Sequence, residues 1–325
     1  MIGVILAAGR GSRMQGLTET RPKAMLPVVG KPIIVRVVEQ LQRAKISRII
    51  IVISAKDTDI RPYFESTPPA GVSVQFVIQP YAGGMAHALM QVAPYIDEPF
   101  VVTACDSLYP ADFYAELVQR HIEQTAPATL ALMQLPPEVI PRASSVEIAG
   151  GLVTRIVEKP TLAEAPSDIG SLALYAFNPD LLVYLQRVPV SARGEMELQD
   201  AIQMMIRDSG GLGYVQTPWR WELTIPTDLW ELNIWWLRQT PALNVSPDGI
   251  STVPPVFVEN GVLIPPDVRL GEAVYIESGA QIGAGARLER SVVLRDGVVE
   301  AGETVCDKLV SRALKTGAFQ FSGKF

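Results

Sequence analysis

The sequence predicts an α/β protein: a Rossmann-like, mostly parallel mixed sheet with helices on both faces, followed by a short C-terminal left-handed β-helix. Three observations carry this expectation. Short apolar runs of strand length alternate with amphipathic stretches through the first 130 residues, a glycine-rich turn follows the first run directly, and from Val258 an aliphatic residue returns at every sixth position. A βαβα order implies parallel strands joined by right-handed crossovers, with ligands bound at the carboxyl ends of the strands.

In chain order, the β-branched and aromatic runs at 2–6, 48–54, 74–79 and 99–104 read as strands. Between and after them, 32–44, 57–64, 84–95 and 110–124 read as helices; the first carries apolar residues at Ile33, Val37 and Leu41. Residues 127–225 read as a mixed region, with strands at 129–134, 152–157 and 172–177 and helices at 178–186 and 195–208. A last helix, 227–238, carries Trp230, Trp235 and Trp236, an aromatic spacing expected of core or interface packing.

Residues 240–253, rich in Pro, Asn, Ser and Gly, read as a linker. Beyond it, Val258, Ile264, Leu270, Ile276, Ile282, Leu288 and Leu294 form one six-residue series. Val262, Val268, Val274, Ala280, Ala286, Val292 and Val298 form a second, with glycines between the two. This is a hexapeptide repeat, in phase until Glu300 and long enough for a little over two coils. The expected domains are therefore 1–240 and 241–325. Leu309, Val310 and Leu314 stand at helical spacing and, with Phe319, Phe321 and Phe325, are expected to cap the coil. So short a coil needs cover from the rest of the chain or from a second copy, so a homo-oligomer is expected.

Composition narrows the function. Lys plus Arg total 28 against 34 for Asp plus Glu, a formal net charge of −6, which argues against a dedicated nucleic-acid binder. Cys105 and Cys306 stand far apart with no CxxC pattern, and His87 and His121 are the only histidines. That leaves no disulfide framework, no cysteine-rich zinc site and little material for histidine-based catalysis. The N-terminus lacks the basic region of a signal peptide and no apolar run approaches a membrane span, so a cytosolic protein is expected.

The densest chemical signal is the stretch Leu6, Ala7, Ala8, Gly9, Arg10, Gly11, Ser12, Arg13, Met14. A strand running into such a turn exposes backbone N–H groups that cradle phosphate. It is not a Walker loop, because Gly16 is followed by Leu17 and not by lysine. Nor is it a dinucleotide fingerprint, since Met14 stands where the third glycine belongs. Its cations are Arg13 and, ten residues on, Lys23, which sits in an Arg-Pro-Lys triplet.

Together these residues resemble the signature of the sugar-phosphate nucleotidyltransferases. Further segments match in order: Gln79-Pro80 with Gly84 to Ala88, Asp106 at the end of the fourth strand, Glu158-Lys159-Pro160, and Glu195 to Asp200. The resemblance spans residues 1 to about 235. It implies attack of a sugar 1-phosphate on the α-phosphorus of a nucleoside triphosphate, expelling pyrophosphate, with no general base because the nucleophile is already ionised. Leu6, Ala7, Ala8, Gly9, Gly11 and Ser12 would hold the nucleotide with Gln79 and Gly84; Arg13 and Lys23 would be catalytic. Ser144, Glu158, Lys159 and Ser171 would bind the sugar phosphate, and Asp106 with Glu222 would hold Mg²⁺. Gln79 suits a pyrimidine with a ring N–H, so UTP or dTTP is expected, with glucose 1-phosphate as the default sugar.

The departures from the family pattern fall on the sugar side: Ala143-Ser144-Ser145, Ser171-Leu172-Ala173, Cys105 before Asp106, and Met85 after Gly84. They motivate one alternative, a degenerate nucleotide-sugar-binding regulatory relative, which the presence of Arg13, Lys23, Asp106 and Lys159 opposes. A second alternative, acyl transfer by the β-helix, lacks a histidine base, since none follows His121.

Overall fold

In the computed structural model, which describes all residues except 10, 125, 241, 243, 246–248 and 315–325, the first strand is β1 (Ile2–Leu6). Two short strands follow, β2 (Pro27–Val28) and β3 (Lys31–Pro32), turning through Val29 and Gly30 at positive φ. Then come α1 (Ile33–Arg43), β4 (Arg48–Ser54), α2 (Ile60–Ser66), β5 (Ser73–Gln79) and α3 (Met85–Val92). Next are β6 (Phe100–Ala104), β7 (Ser107–Leu108), α4 (Phe113–Glu123) and β8 (Ala128–Gln134). β9 (Ser144–Ala149), β10 (Leu152–Glu158) and β11 (Ile169–Phe177) precede α5 (Leu181–Leu185) and α6 (Leu198–Ser209). β12 (Gly213–Gln216), β13 (Trp221–Glu222) and α7 (Pro226–Gln239) complete the expected catalytic region.

The chain forms two compact units, Met1–Gly9 with Arg36–Arg220, and Arg10–Val35 with Trp221–Phe325. The boundary expected at 240 is an edge of neither. The chain leaves the first unit within its glycine loop, returns inside α1, and leaves again after Arg220.

In the first unit the sheet order is β10-β9-β11-β6-β1-β4-β5, with β8 pairing β11 and β12. β6, β1, β4 and β5 run parallel, while β11 joins β6 antiparallel. β4 is an unbroken aliphatic run with Ile49 to Ile53 all buried, as a strand covered on both faces requires. Along β1, Ile2 and Val4 pack in one core with Leu89 and Val92 of α3. Gly3 points the other way, where a Cβ would sit 3.1 Å from Leu41 of α1. Helices thus cover both faces. β9 and β12 were not expected; a Ser-Ser start hides the first, and four residues with a leading glycine hide the second.

In the second unit the coil strands are β14 (Ser251–Thr252), β15 (Val256–Val258), β16 (Arg269–Leu270), β17 (Val274–Ile276), β18 (Gln281–Ile282) and β19 (Arg287–Glu289). They continue as β20 (Ser291–Val293), β21 (Val298–Val299), β22 (Thr304–Cys306) and β23 (Leu309–Val310). Three parallel stacks result, β14-β16-β19-β22, β15-β17-β20-β23 and β18-β21, which are the faces of the expected β-helix. The coil is longer than the expected two turns, because its strands begin at Ser251, inside the expected linker, and end at Val310.

Ser251 pairs with Arg269 and Arg269 with Arg287, a repeat of 18 residues. Val274, however, pairs with Ser291, a repeat of 17. One residue is therefore lost between Leu288 and Ser291, at Arg290 with its positive φ, and not at Glu300. Afterwards Val299 is buried in the coil core and Val298 is exposed. Helix α7 packs against the coil, and the fully buried Trp230 donates its indole N–H to the Arg290 carbonyl at 2.7 Å. Leu309 and Val310, expected on a helix, form β23, and the expected Phe cap lies outside the described residues. Among the described residues, no helix is long and apolar enough to cross a membrane.

Candidate functional site

The parallel strands of the first unit all end at one edge of the sheet. β1 and β6 are adjacent there, and the strand order reverses between them, the place where open α/β sheets bind ligands. Leu6, Ala7, Ala8 and Gly9 leave β1 at this edge, steadied by bonds from the Ala7 N–H to the Val52 carbonyl (2.8 Å) and from the Cys105 N–H to the Leu6 carbonyl (3.3 Å). Ala7 is buried and Gly9 exposed, with nothing within 4 Å of a Cβ placed at Gly9. Asp106 follows β6, is 5% exposed, and accepts from the Ser107 hydroxyl at 3.4 Å.

Gln79 ends β5, the outermost strand of the parallel run. Its amide nitrogen lies 3.1 Å from the Gly84 carbonyl and 3.0 Å from Nδ1 of His87, whose ring stacks on Tyr81. Burial lowers the His87 pKa, holding the imidazole neutral. Gly84 has φ +94°, and the backbone of Gly83 and Ala86 bonds to both sides of Met196. The base-side segment and the Glu195–Asp200 stretch are thus joined through backbone.

The sugar-side residues converge on Glu158. Ser144 and Glu158 face each other in the β9–β10 ladder, and the Ser144 hydroxyl donates to the Glu158 carboxylate. Lys159 Nζ lies 3.3 Å from Glu158, and Lys159 itself adopts φ +46°, an uncommon conformation for a non-glycine residue. Ser171 pairs with Ser144 across the β11–β9 ladder. Arg193, which the sequence reading missed, lies 3.9 Å from Glu158 and 2.7 Å from Glu197. Its signal was the Arg-Gly-Glu run just before the recognised Glu195 segment. Burial and the negative charges of Glu197 and Glu158 raise the Asp200 pKa, so this pocket already carries excess negative charge. Gln199 donates to the buried Tyr175 hydroxyl at 3.5 Å, while Gln199 Oε1 is a buried acceptor with no protein donor.

The second unit carries the remaining residues. Gly11 has φ +63°, and a Cβ there would sit 3.1 Å from Cβ of Lys23, so Lys23 packs directly against the glycine turn. Ser12 and Arg13 open a 3₁₀ turn and are exposed. Lys23 Nζ donates to the Leu223 carbonyl at 3.1 Å, next to the half-buried Glu222. Asp228 accepts from the Thr224 and Ile225 N–H groups at 2.7 and 2.8 Å and caps α7, which fixes the segment after Glu222. Asp106 belongs to the first unit and Glu222 to the second.

Residues 2–233 match the family described as Nucleotidyl transferase. A UTP–glucose-1-phosphate uridylyltransferase of Haloferax volcanii is 31% identical over 230 residues, 70% of this chain and 93% of that one. A protein of the same name from Bacillus subtilis is 29% identical over 231 residues, 62% of this chain and 79% of its own length. Among solved structures, a candidate glucose-1-phosphate thymidylyltransferase of Bacillus anthracis in complex with sucrose superposes with a TM-score of 0.65 at 26% identity. That match covers 72% of this chain and 94% of the other.

Proposed function

Because the chain belongs to the nucleotidyl transferase family, we propose that it joins UTP or dTTP to a sugar 1-phosphate, glucose 1-phosphate first, releasing pyrophosphate. The observation that carries this reading is the single sheet edge that collects Leu6–Gly9, Gln79, Asp106, Ser144, Glu158, Lys159 and Ser171. Both reactants are polyanions, so their approach needs cations and backbone donors set in advance. In this reading the loop N–H groups and Ser12 take the triphosphate, and Arg13 takes the departing pyrophosphate with its planar fork. Lys23 meets the charge that develops in the transition state. Lys159, aided by Arg193, takes the phosphate of the nucleophile. Glu158, oriented by Ser144, suits a sugar hydroxyl. Gln79 selects a base with a ring N–H.

Among the described residues there is no cluster of three or more metal-ligating side chains. Mg²⁺ needs one or two carboxylates and takes its other ligands from phosphate and water. We assign Asp106 and Glu222 as those carboxylates. When bound, the ion would draw charge off the phosphates. A homo-oligomer located in the cytosol completes the reading, and the exposed apolar Val253 and Leu263 on the coil unit suit its subunit contact. The test is pyrophosphate release with Mg²⁺, the four triphosphates and a panel of sugar 1-phosphates, with mass by light scattering. Release with UTP or dTTP is expected; none with any pair would leave a binding protein.

A further inference from the structure

We propose that the buried ion pair between Arg21 and Glu277 is a positioning device for Lys23, which makes the β-helix coil part of the catalytic apparatus. The proposal rests on the nucleotidyl-transfer reading, in which Lys23 acts on the reacting phosphates.

The contact joins residues 256 apart in sequence within the second unit. The Arg21 side chain is 6% exposed and that of Glu277 11%. Both forks are engaged: Nη1 donates to Oε1, and Nη2 donates to Oε2 at 2.8 Å. Oε2 also accepts the Arg295 N–H at 2.8 Å, and Arg295 returns its guanidinium to the Thr20 carbonyl at 3.0 Å. Residues 20 and 21 are therefore both held by the coil, from the turns that follow β17 and β20.

From this anchor to Lys23 the chain is short and stiff. Pro22 intervenes at φ −66°, and Lys23 then opens a 3₁₀ turn closed by the Met25 and Leu26 N–H groups at 2.9 and 3.0 Å. The far end of the segment is seated in the same way. Asn233 of α7 accepts the Val29 N–H at 2.8 Å and donates to the Pro27 carbonyl at 3.0 Å, and the Phe257 ring would sit 3.0 Å from a Cβ at Gly30. Lys23 thus stands on a strip of chain fixed at both ends to α7 and the coil.

A buried ion pair is a poor source of net stability, because desolvation offsets most of its Coulomb gain. What it provides is direction. A planar guanidinium meeting a carboxylate through two parallel bonds fixes distance and orientation together. A lysine that must meet developing charge needs such placement, since a misplacement of about 1 Å can cost on the order of 10²-fold in rate.

The experiment compares wild type with Arg21→Lys and Glu277→Gln, and with Arg238→Ala, which removes the exposed Arg238–Glu272 pair of the same unit. Pyrophosphate release, thermal unfolding and amide exchange at Met25 and Leu26 are measured on the full chain. We expect both pair variants to stay folded, to exchange those two amides at least about tenfold faster, and to lose at least about tenfold in kcat. KM for the sugar 1-phosphate should be unchanged, and Arg238→Ala should match wild type. Unchanged exchange and kcat in the pair variants, or an equal loss in Arg238→Ala, would overturn the proposal. A wild type that releases no pyrophosphate would instead overturn the functional reading, and amide exchange would still decide whether the pair holds the segment.

Discussion

Gln79 points its side-chain amide nitrogen at Nδ1 of His87, 3.0 Å away, and at the Gly84 carbonyl, 3.1 Å away. A carbonyl only accepts, so Gly84 fixes which end of the Gln79 amide faces inward. Nδ1 of His87 must then accept as well, which requires a neutral ring. Protonation would turn that nitrogen into a second donor facing the Gln79 NH₂.

The first prediction follows from the sign of the shift. Burial lowers the pKa of both His87 and His121 from the ordinary 6.5. The unfolded chain therefore binds more protons than the folded one once pH falls through about 6.5, and stability is lost on the acid side of that point. The urea midpoint should fall between pH 7.5 and 5.5, and KM for the nucleotide should rise further to the acid side, where the folded His87 itself takes up a proton. In His87→Gln the KM rise should disappear while the His121 part of the stability loss persists. A midpoint that climbs on acidification would contradict the assignment.

The parallel half of the sheet was legible because strands buried on both faces must be aliphatic, and β1 and β4 are. β9 was not, because Ser144 and Ser145 spend their hydroxyls on Glu158 and on the Ser167 carbonyl, contacts that polar composition does not announce. The coil slip at Arg290 escaped the six-residue count because Val292 and Leu294 stay buried on either side of Val293, beside α7. The Arg21–Glu277 pair was invisible for a plainer reason: nothing local links two residues 256 apart. The glycine signature reads as one motif, yet Leu6–Gly9 belong to the first unit with the sheet and Gly11–Met14 to the second unit, which holds α7 and the coil.

Lys23→Ala should lower kcat by on the order of 10²-fold, since removing a charge aimed at a transition state costs about 3 kcal/mol. The amine also donates to the Leu223 carbonyl, so a small loss of stability should accompany it. Steady-state kinetics on protein with a normal unfolding transition checks this, and near-normal turnover would remove Lys23 from the mechanism.

Asp106→Asn keeps the shape of a 5%-exposed side chain and removes its charge. Most Mg²⁺-dependent turnover should vanish, and raising Mg²⁺ should recover part of it. Glu222→Asp should be tolerated within about tenfold, or 1.4 kcal/mol in barrier. Metal titrations of the three proteins separate these outcomes; Asp106→Asn with wild-type Mg²⁺ dependence would exclude the ligand role.

Lys159→Ala removes a cation 3.3 Å from Glu158 and puts alanine at a positive φ. KM for the sugar 1-phosphate should rise about tenfold or more, as expected for losing one charge-assisted contact of about 1.5–3 kcal/mol. KM for the nucleotide should not move, because Gln79 and Gly84 are untouched. A shift confined to the nucleotide would place Lys159 on the wrong substrate.

Gly84→Ala should do the opposite and disturb both substrates. A Cβ at Gly84 would lie 2.5 Å from the Met196 carbonyl oxygen and 2.9 Å from its nitrogen, and the backbone there has φ +94°. That conformation alone costs a side chain about 1–3 kcal/mol. The bonds from the Met196 N–H to the Gly83 carbonyl and from the Ala86 N–H to the Met196 carbonyl, at 2.8 and 3.1 Å, must also lengthen. Displacing Met196 moves Glu197, which holds Arg193, and displacing Gly84 frees the Gln79 amide. The variant should melt about 5 °C or more below wild type and show raised KM for nucleotide and sugar 1-phosphate together. An unchanged melting temperature with both KM values intact would mean that the backbone seam between Gly84 and Met196 does not couple the two halves of the site.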